Sequence, residues 1–512
     1  MINLNTAINR LAEVRSNEDI KALSYAKFPG THCPLFGVAM IASFISDLVV
    51  LVVGTGECTY YSKGFAYNNQ KGKDNFYSLV IGKNDLTFGC GDKVMKAIHQ
   101  IEREEKPAAI MVVTTCVLEV IGEDIEGLFI EQEGETKAHL LLVKTEHFKC
   151  GSHIPGMERA LTSLIGLMKK TDMEEKSINI LGHRKQGVEN TEVICVLEQE
   201  GINIHSIIPS NCTISDIEKA ASAGLNVVTD FTALPLARLM EKRLSIPYVY
   251  FGRHLSKERI DLEYKKIEEV LGIHIISHLE ERQQKLLELE QRARELFSGK
   301  SFIYGNTPMM AFEVSDYLCS LGLIPLFIQV REYYEEERQD MDQILTRGYN
   351  PYISQIANIS PMQEVYDILK PNIYLGHENP MALHKKGIVQ ITTDEVTTKI
   401  GYEVPIEFLN KMIAIYERAV QFPEIPVGMI SMAGLSQGGV SPMGVGMMGK
   451  GNRPQSKGID SYLEELAEFA DKDENTQETG LDKNGLTPEM ARAVAKGMPL
   501  AIAKLVSKGG HK

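Results

Sequence analysis

Leu48-Val49-Val50-Leu51-Val52-Val53-Gly54-Thr55-Gly56-Glu57-Cys58 begins with six apolar residues and no polar alternation. A strand of that kind is buried on both faces, as when helices cover both sides of a parallel sheet. The run ends on two glycines and a cysteine, at the carboxyl end of the strand, where open α/β sheets bind their ligands. On the amino-terminal side, Phe36–Val53 is apolar apart from Ser43, Ser46 and Asp47, and reads as a buried helix feeding this strand. On the other side, Ala109–Thr114 and His139–Val143 read as further buried strands. Asp92–Glu104 and Pro155–Met168 show helical spacing between and after them. Together they make a first α/β unit over residues 1–172.

Two further units follow the same plan. Ser177–Gly182, a helix over Glu189–Glu200 and a strand over Gly201–Pro209 open the second, residues 173–298. Phe302–Gly305, a helix over Pro308–Leu321 and Gly322–Ile328 open the third, residues 299–422. Strand, glycine loop, helix, glycine, strand recurring in that order predicts Rossmann-like modules. The charged stretch Ser277–Phe297 reads as one long helix joining them, with a solvated face. The expected fold is parallel-sheet α/β, with two similar Rossmann-like modules following the first unit. Residues 423–485 shift to a Gly-, Met- and Ser-rich linker with a helix around Tyr462–Ala470. Residues 486–512 read as a helical C-terminal segment, with Thr487-Pro488-Glu489 at a helix start.

A chain of 512 residues is too long for a single core. Its net charge of −14 argues against a nucleic-acid partner, because phosphate binding needs a concentrated basic face. No signal peptide or membrane span is apparent. Eight cysteines, sparse and without CxxC spacing, argue against a disulfide framework and favour a reducing cytoplasm.

Three of those cysteines stand at element ends in the first unit. Cys33, in Thr31-His32-Cys33-Pro34-Leu35, precedes a helix expected over Leu35–Phe44, whose N–H groups and dipole favour a thiolate. Cys58 follows its strand through glycines that let the backbone approach a cluster. Cys116 ends a strand, in Thr114-Thr115-Cys116-Val117-Leu118-Glu119-Val120-Ile121-Gly122-Glu123-Asp124. Singly, each reads as a buried inert cysteine. Three in one unit point to a shared thiolate site. Thiolates suit iron–sulfur clusters, and a 4Fe–4S cluster takes four ligands, so a neighbouring subunit or another residue must complete the site. Cys90 and Cys150 lie near these motifs, as structural residues or as a fourth ligand. Cys195 and Cys319 are expected in the core, and Cys212 precedes a helix start at Thr213.

These motifs carry a family resemblance. Cys33-Pro34-Leu35-Phe36-Gly37-Val38-Ala39 and Val53-Gly54-Thr55-Gly56-Glu57-Cys58-Thr59-Tyr60-Tyr61 resemble the first two cluster-ligand motifs of nitrogenase component 1. Thr114–Ile125 resembles the third and is the most specific. The spacings, 25 residues from Cys33 to Cys58 and 58 from Cys58 to Cys116, are similar to those of the β-type subunit. Phe88-Gly89-Cys90-Gly91-Asp92 and Gly151–Gly156 resemble the family's intervening turn and following segment, and a looser likeness runs to about Val420. The tail Leu486–Lys508 is similar to that of the dark-operative protochlorophyllide reductase B subunit.

The resemblance implies three Rossmann-like domains and a cluster at a subunit interface, held by Cys33, Cys58 and Cys116. That cluster is 4Fe–4S or part of a larger shared one. The resemblance also implies electrons from a separate iron protein, which uses the ATP. The assembly implied is a homodimer or an α2β2 with a second component 1 subunit. No cysteine lies between Cys212 and Cys319, and none around Thr229–Pro247, where the α-type subunit carries its ligand to the iron–molybdenum cofactor. Dinitrogen is therefore not the expected substrate. The expected function is an iron–sulfur component 1 of a nitrogenase-like, ATP-dependent two-component reductase; the alternatives are a scaffold of the same family that assembles a cluster without turnover, and a non-redox binding protein with incidental cysteines.

Gly444–Gly451 mimics a P-loop, but Gly451 replaces the Mg²⁺-binding Ser or Thr and no buried strand leads in. His377, in Leu375-Gly376-His377-Glu378-Asn379-Pro380, follows a strand over Asn372–Leu375 and is the candidate proton donor. A solvated loop histidine is the plainer alternative. His183 and His254 have similar standing.

Overall fold

The computed structural model describes residues 2–421 apart from 24–32, 61–74, 132–133, 185–186, 211, 306, 308 and 357–358. These belong to one compact unit, residues 1–427. The second unit, 428–512, lies outside the described residues, as do the expected linker and helical tail and the P-loop-like Gly444–Gly451. Among the described residues no helix is long and apolar enough to cross a membrane.

Three parallel sheets carry the fold. In the first, the strands run in the order Phe76–Val80, Leu48–Gly54, Ala109–Thr114, His139–Lys144. The second runs Asn203–Pro209, Glu174–His183, Ala223–Val228, Tyr248–Tyr250. The third runs Tyr352–Gln355, Ile324–Val330, Ser301–Tyr304, Ile373–Leu375, Val389–Ile391. Residues Asn9–Arg10 add an antiparallel edge to this last sheet by pairing with Tyr352 and Ile353. The first turn of the chain is thus tied to its third sheet.

Leu48–Gly54 and Ala109–Thr114 are buried at every position, as their unbroken apolar runs require. Each Val or Leu so buried contributes roughly 1.5–3 kcal/mol relative to exposure. His139–Lys144 departs from the expectation of a fully buried strand. It pairs only with Ala109–Thr114, so it is the sheet edge, and His139 and Lys144 reach solvent. The helix expected over Pro155–Met168 is Ile154–Ser163 followed by a tighter turn at Leu164–Leu167.

The recurring strand–glycine signal has a physical cause. Gly182 has φ +95° at the end of its strand, and a Cβ there would fall 2.8 Å from Cβ of Asp230. At Gly305 a Cβ would lie 2.1 Å from the Tyr374 hydroxyl. In both modules the next strand's end crowds the loop, and only glycine leaves room. The charged helix is Glu280–Phe297, with Leu286, Ala293 and Phe297 turned into the core.

Candidate functional site

The helix after Cys33 is set by its backbone. Cys33 is its capping residue and Pro34 its first helical position, where a missing N–H costs nothing. Pro34–Ala42 packs on Ile154–Ser163 with almost nothing between the two. A Cβ on Gly37 would fall 2.0 Å from the His153 carbonyl oxygen, and one on Gly156 would fall 1.8 Å from that of Pro34. The rings of Phe36 and His153 meet at 5.3 Å beside this crossing.

Cys58 lies in a helical turn at residues 56–60, with its sulfur 3.4 Å from Thr55 Oγ1. Cys116 is the first residue of the helix Cys116–Ile121. One contact couples the two loops. The Thr115 hydroxyl donates to the Val53 carbonyl at 3.0 Å, and a Cβ on Gly54 would strike that hydroxyl at 2.3 Å. Gly54, not Gly56, is the close approach: a Cβ on Gly56 would meet only Val80, at 3.9 Å.

The acidic residues after Cys116 hold its helix in place. Glu119 accepts from the Thr145 hydroxyl at 2.9 Å and from the N–H groups of Glu146 and His147 at 2.5 and 3.0 Å. Glu123 accepts from the N–H groups of Cys90 and Gly91, at 2.9 and 3.0 Å, at the start of the helix Gly91–Glu105. Asp124 accepts from the N–H of Gly127 at 2.9 Å. Gly122, at φ +74°, ends the short helix in the left-handed conformation that favours glycine.

The three thiols are near enough to feel one another. Burial pushes the Cys33 thiol up; the N–H groups of Leu35 and Phe36 pull it down, and charge on Cys58 and Cys116 would push it further up. The helix terminus is therefore outweighed by burial, against the expectation of a favoured thiolate. Burial also raises Cys116, with Cys58 and Glu119 adding to the effect. Cys33 and Cys58 pack on one hydrophobic cluster that includes Val50, Val52 and Met157. Among the described residues no three His, Cys, Asp or Glu side chains close in on a single metal ion. An iron–sulfur cluster asks for a looser set, since each cysteine binds a different iron, and three half-buried soft donors fit it.

The other cysteines separate from this group. Cys90 is buried behind Glu123, and burial followed by that carboxylate pushes its thiol up to about 11. The Cys150 sulfur lies 3.2 Å from an Arg159 nitrogen and 3.2 Å from the Glu146 carbonyl. Cys319 is buried, as expected, and burial pushes it up to about 12. Cys195 is exposed, contrary to the core expectation: its helix Glu192–Gln199 buries Val193, Ile194, Val196 and Leu197 and turns Cys195 outward. Cys212 is buried with its sulfur on the Pro209 carbonyl at 3.3 Å. All eight cysteines are free thiols.

His377 stands half-exposed after Ile373–Leu375, with its ring nitrogen 2.9 Å from the Asp394 carboxylate. That hydrogen bond raises its pKa, opposed by burial and by the charges of Lys411 and Arg331. His254 is buried against Glu313 at 2.7 Å. His183 is buried at the end of its strand.

A second polar centre, with no motif to announce it, occupies the cleft between the second and third sheets. Asp230, just past the strand Ala223–Val228, is fully buried. One of its oxygens meets Arg184 at 2.9 Å and Arg253 at 2.8 Å. The other accepts from the Thr232 hydroxyl at 2.6 Å. Against the pull of burial, the two guanidiniums hold its carboxyl well below the usual range. This is the start of the stretch Thr229–Pro247, where the resemblance would have an α-type subunit place a metal-binding cysteine. Here an ion-pair cluster stands instead.

Residues 33–416 match the family described as nitrogenase component 1 type oxidoreductase. The chain belongs to that family. Its likeness to the nitrogenase iron-molybdenum cofactor biosynthesis protein NifE of Clostridium pasteurianum is 26% identity over 343 residues, covering 62% of this chain and 74% of that one. Over 186 residues it is 30% identical to the light-independent protochlorophyllide reductase B subunit of Pyropia yezoensis, covering 33% of this chain and 36% of that one. The fold matches the solved structure of nitrogenase Cp1 at pH 6.5 with a TM-score of 0.67 and 16% identity, over 78% of this chain and 94% of the other. The expected family and the Rossmann-like architecture are therefore both found.

Proposed function

We propose that this chain is an iron–sulfur component of a nitrogenase-like, ATP-dependent two-component reductase. Cys33, Cys58 and Cys116 would hold a 4Fe–4S cluster, or their share of a larger one, completed from a neighbouring subunit. When bound, such a cluster supplies one-electron transfer at a low potential set by thiolate ligation and burial. This chain's residues orient the sulfurs through the helix crossing at Gly37 and Gly156, the Gly54–Thr115 contact and the Glu119 anchor. What supports the reading is three half-buried cysteines in the first module, Cys33 capping a helix, Cys116 starting one, and Cys33 and Cys58 packed on the same hydrophobic cluster.

Several large apolar side chains on the loops and helices of this module are open: Phe88 is 85% exposed and Val120 69%, with Val80, Leu86 and Ile121 also exposed. They would suit burial by another subunit, either a second copy or a second component 1 chain. In this reading a separate iron protein delivers electrons and hydrolyses ATP, and the substrate is not dinitrogen. His377, paired to Asp394, is the proposed proton donor in the third module. Free thiols suit a reducing cytoplasm.

A second reading has its own support. The Clostridium relative is a cofactor biosynthesis protein, which favours a scaffold that builds a cluster without turnover. The protein mixed with an iron protein, ATP and a reductant separates the two. Sustained acceptor reduction, many turnovers per cluster, supports the reductase. ATP-dependent release of a cluster to an acceptor protein without turnover supports the scaffold.

A further inference from the structure

The three sulfurs of the proposed site are met by different donors. The N–H groups of Leu35 and Phe36 meet Cys33, and those of Cys116 and Val117 meet Cys116. Cys58 is met by a side chain: Thr55 Oγ1 lies 3.4 Å from its sulfur. The chain on either side holds that hydroxyl in place. Just before it, the Val53 carbonyl accepts from the Thr115 N–H at 3.2 Å and from the Thr115 hydroxyl at 3.0 Å. The Gly54 carbonyl accepts from the Ile81 N–H at 2.9 Å. Thr55 itself stands in the capping position of the turn 56–60. One residue beyond Cys58, the buried Thr59 donates to Ser78 Oγ at 2.7 Å. The Thr55–Cys58 contact therefore spans a segment pinned at both ends.

The hydroxyl has one proton and two acceptors in reach. In the free protein the Cys58 thiol has a proton of its own and can donate to Thr55, while Thr55 serves the Glu57 carboxylate. Glu57 is exposed, so water replaces that bond at little cost. A cysteine sulfur bound to iron is a thiolate and can only accept. Loss of the thiol proton thus turns the Thr55 hydroxyl toward a half-buried sulfur that is less open to water. Reduction adds negative charge to a cluster and its sulfurs, and hydrogen bonds to those sulfurs favour the reduced form.

We propose that Thr55 is a positioning residue for the thiol site, its hydroxyl holding the Cys58 sulfur and donating to it once that sulfur is an iron ligand. The donation favours uptake of the electron, so Thr55 sets how readily this chain is reduced. The inference deepens the iron–sulfur reading and rests on it.

Mediated titration of the anaerobically purified full-length protein with dithionite, followed by paramagnetic resonance, tests it. Dithionite gives up one electron and the cluster takes it. Thr55→Val, which keeps the shape and loses the hydroxyl, should shift that equilibrium at least threefold toward the oxidised form, about 28 mV lower in potential. Thr55→Ser keeps the hydroxyl and should titrate as wild type does. Should Thr55→Val lose its iron, Thr55→Gly serves, because glycine caps a helical turn about as well as threonine and carries no hydroxyl. It should show the same fall. Glu57→Gln, which removes the rival acceptor's charge and leaves the hydroxyl, should not lower the potential. Wild-type potentials in Thr55→Val and Thr55→Gly, or an equal fall in Thr55→Ser or Glu57→Gln, would overturn the assignment. Iron and sulfide measured on the same samples read the cluster separately. Iron-loaded wild type with no Thr55 effect sinks this inference alone, whereas iron-free wild type sinks the cluster reading and this inference with it.

Discussion

Gly156 lies against Pro34 so closely that a methyl group on it would sit 1.8 Å from the Pro34 carbonyl oxygen. Pro34 follows Cys33 directly, so this backbone contact fixes where the first thiol stands. Gly156→Ala must push the two helices apart. Overpacking of this kind costs about 1–3 kcal/mol. The variant should melt several degrees below wild type and carry less iron after anaerobic purification. Gly166→Ala is the comparison: its Cβ would meet only Leu141 Cδ2, at 3.4 Å, and iron content should be unchanged.

Glu119 is the anchor of the third thiol. Its carboxylate accepts from Thr145 and from two backbone N–H groups at the start of the next loop. Hydrogen bonds to a charged group contribute about 1.5–3 kcal/mol each. Glu119→Ala should lower the melting temperature and broaden the cluster's paramagnetic resonance spectrum, while Glu126→Ala, which removes only an exposed ion pair to Lys144, should do neither.

The His254–Glu313 pair sets a pH dependence. Burial alone would push His254 down, but Glu313 overrides it and holds the imidazole above its usual 6.5. Burial alone would push Glu313 up, but His254 and Arg259 hold it below 4.5. The histidine's contribution is full below pH 6.5 and is lost as pH rises through its raised value. The glutamate's is full above pH 4.5 and is lost as pH falls through its depressed value. Thermal melts should therefore show a larger gap between wild type and His254→Gln at about pH 6 than at about pH 8.5. An equal gap at both would contradict the pairing.

Much of this is legible in the residues alone. Leu48–Val53 announces itself because burial on both faces removes all polar residues, and the strand-end rule then places Cys58. What the chain does not reveal is relational. Arg184, Asp230 and Arg253 are separated by 46 and 23 residues and carry no local pattern; only the sheet brings them together. Asn9–Arg10 is too short a strand to show alternation, so its pairing to the third sheet leaves no trace in the sequence. Cys195 reads as a core residue because apolar residues lie on both sides of it along the helix, and packing decides which of them face in. Gly54 reads as a place of close approach, and that it makes room for Thr115 is visible only in the fold.

Iron and acid-labile sulfide, measured on anaerobically purified protein and on its Cys33→Ala, Cys58→Ala and Cys116→Ala forms, bear most directly on the central claim. Wild type should be brown and carry both elements, each of the three variants should lose most of its iron, and Cys195→Ala, which alters an exposed thiol, should keep it. Colourless wild-type protein, or three variants as iron-rich as the parent, would contradict the account.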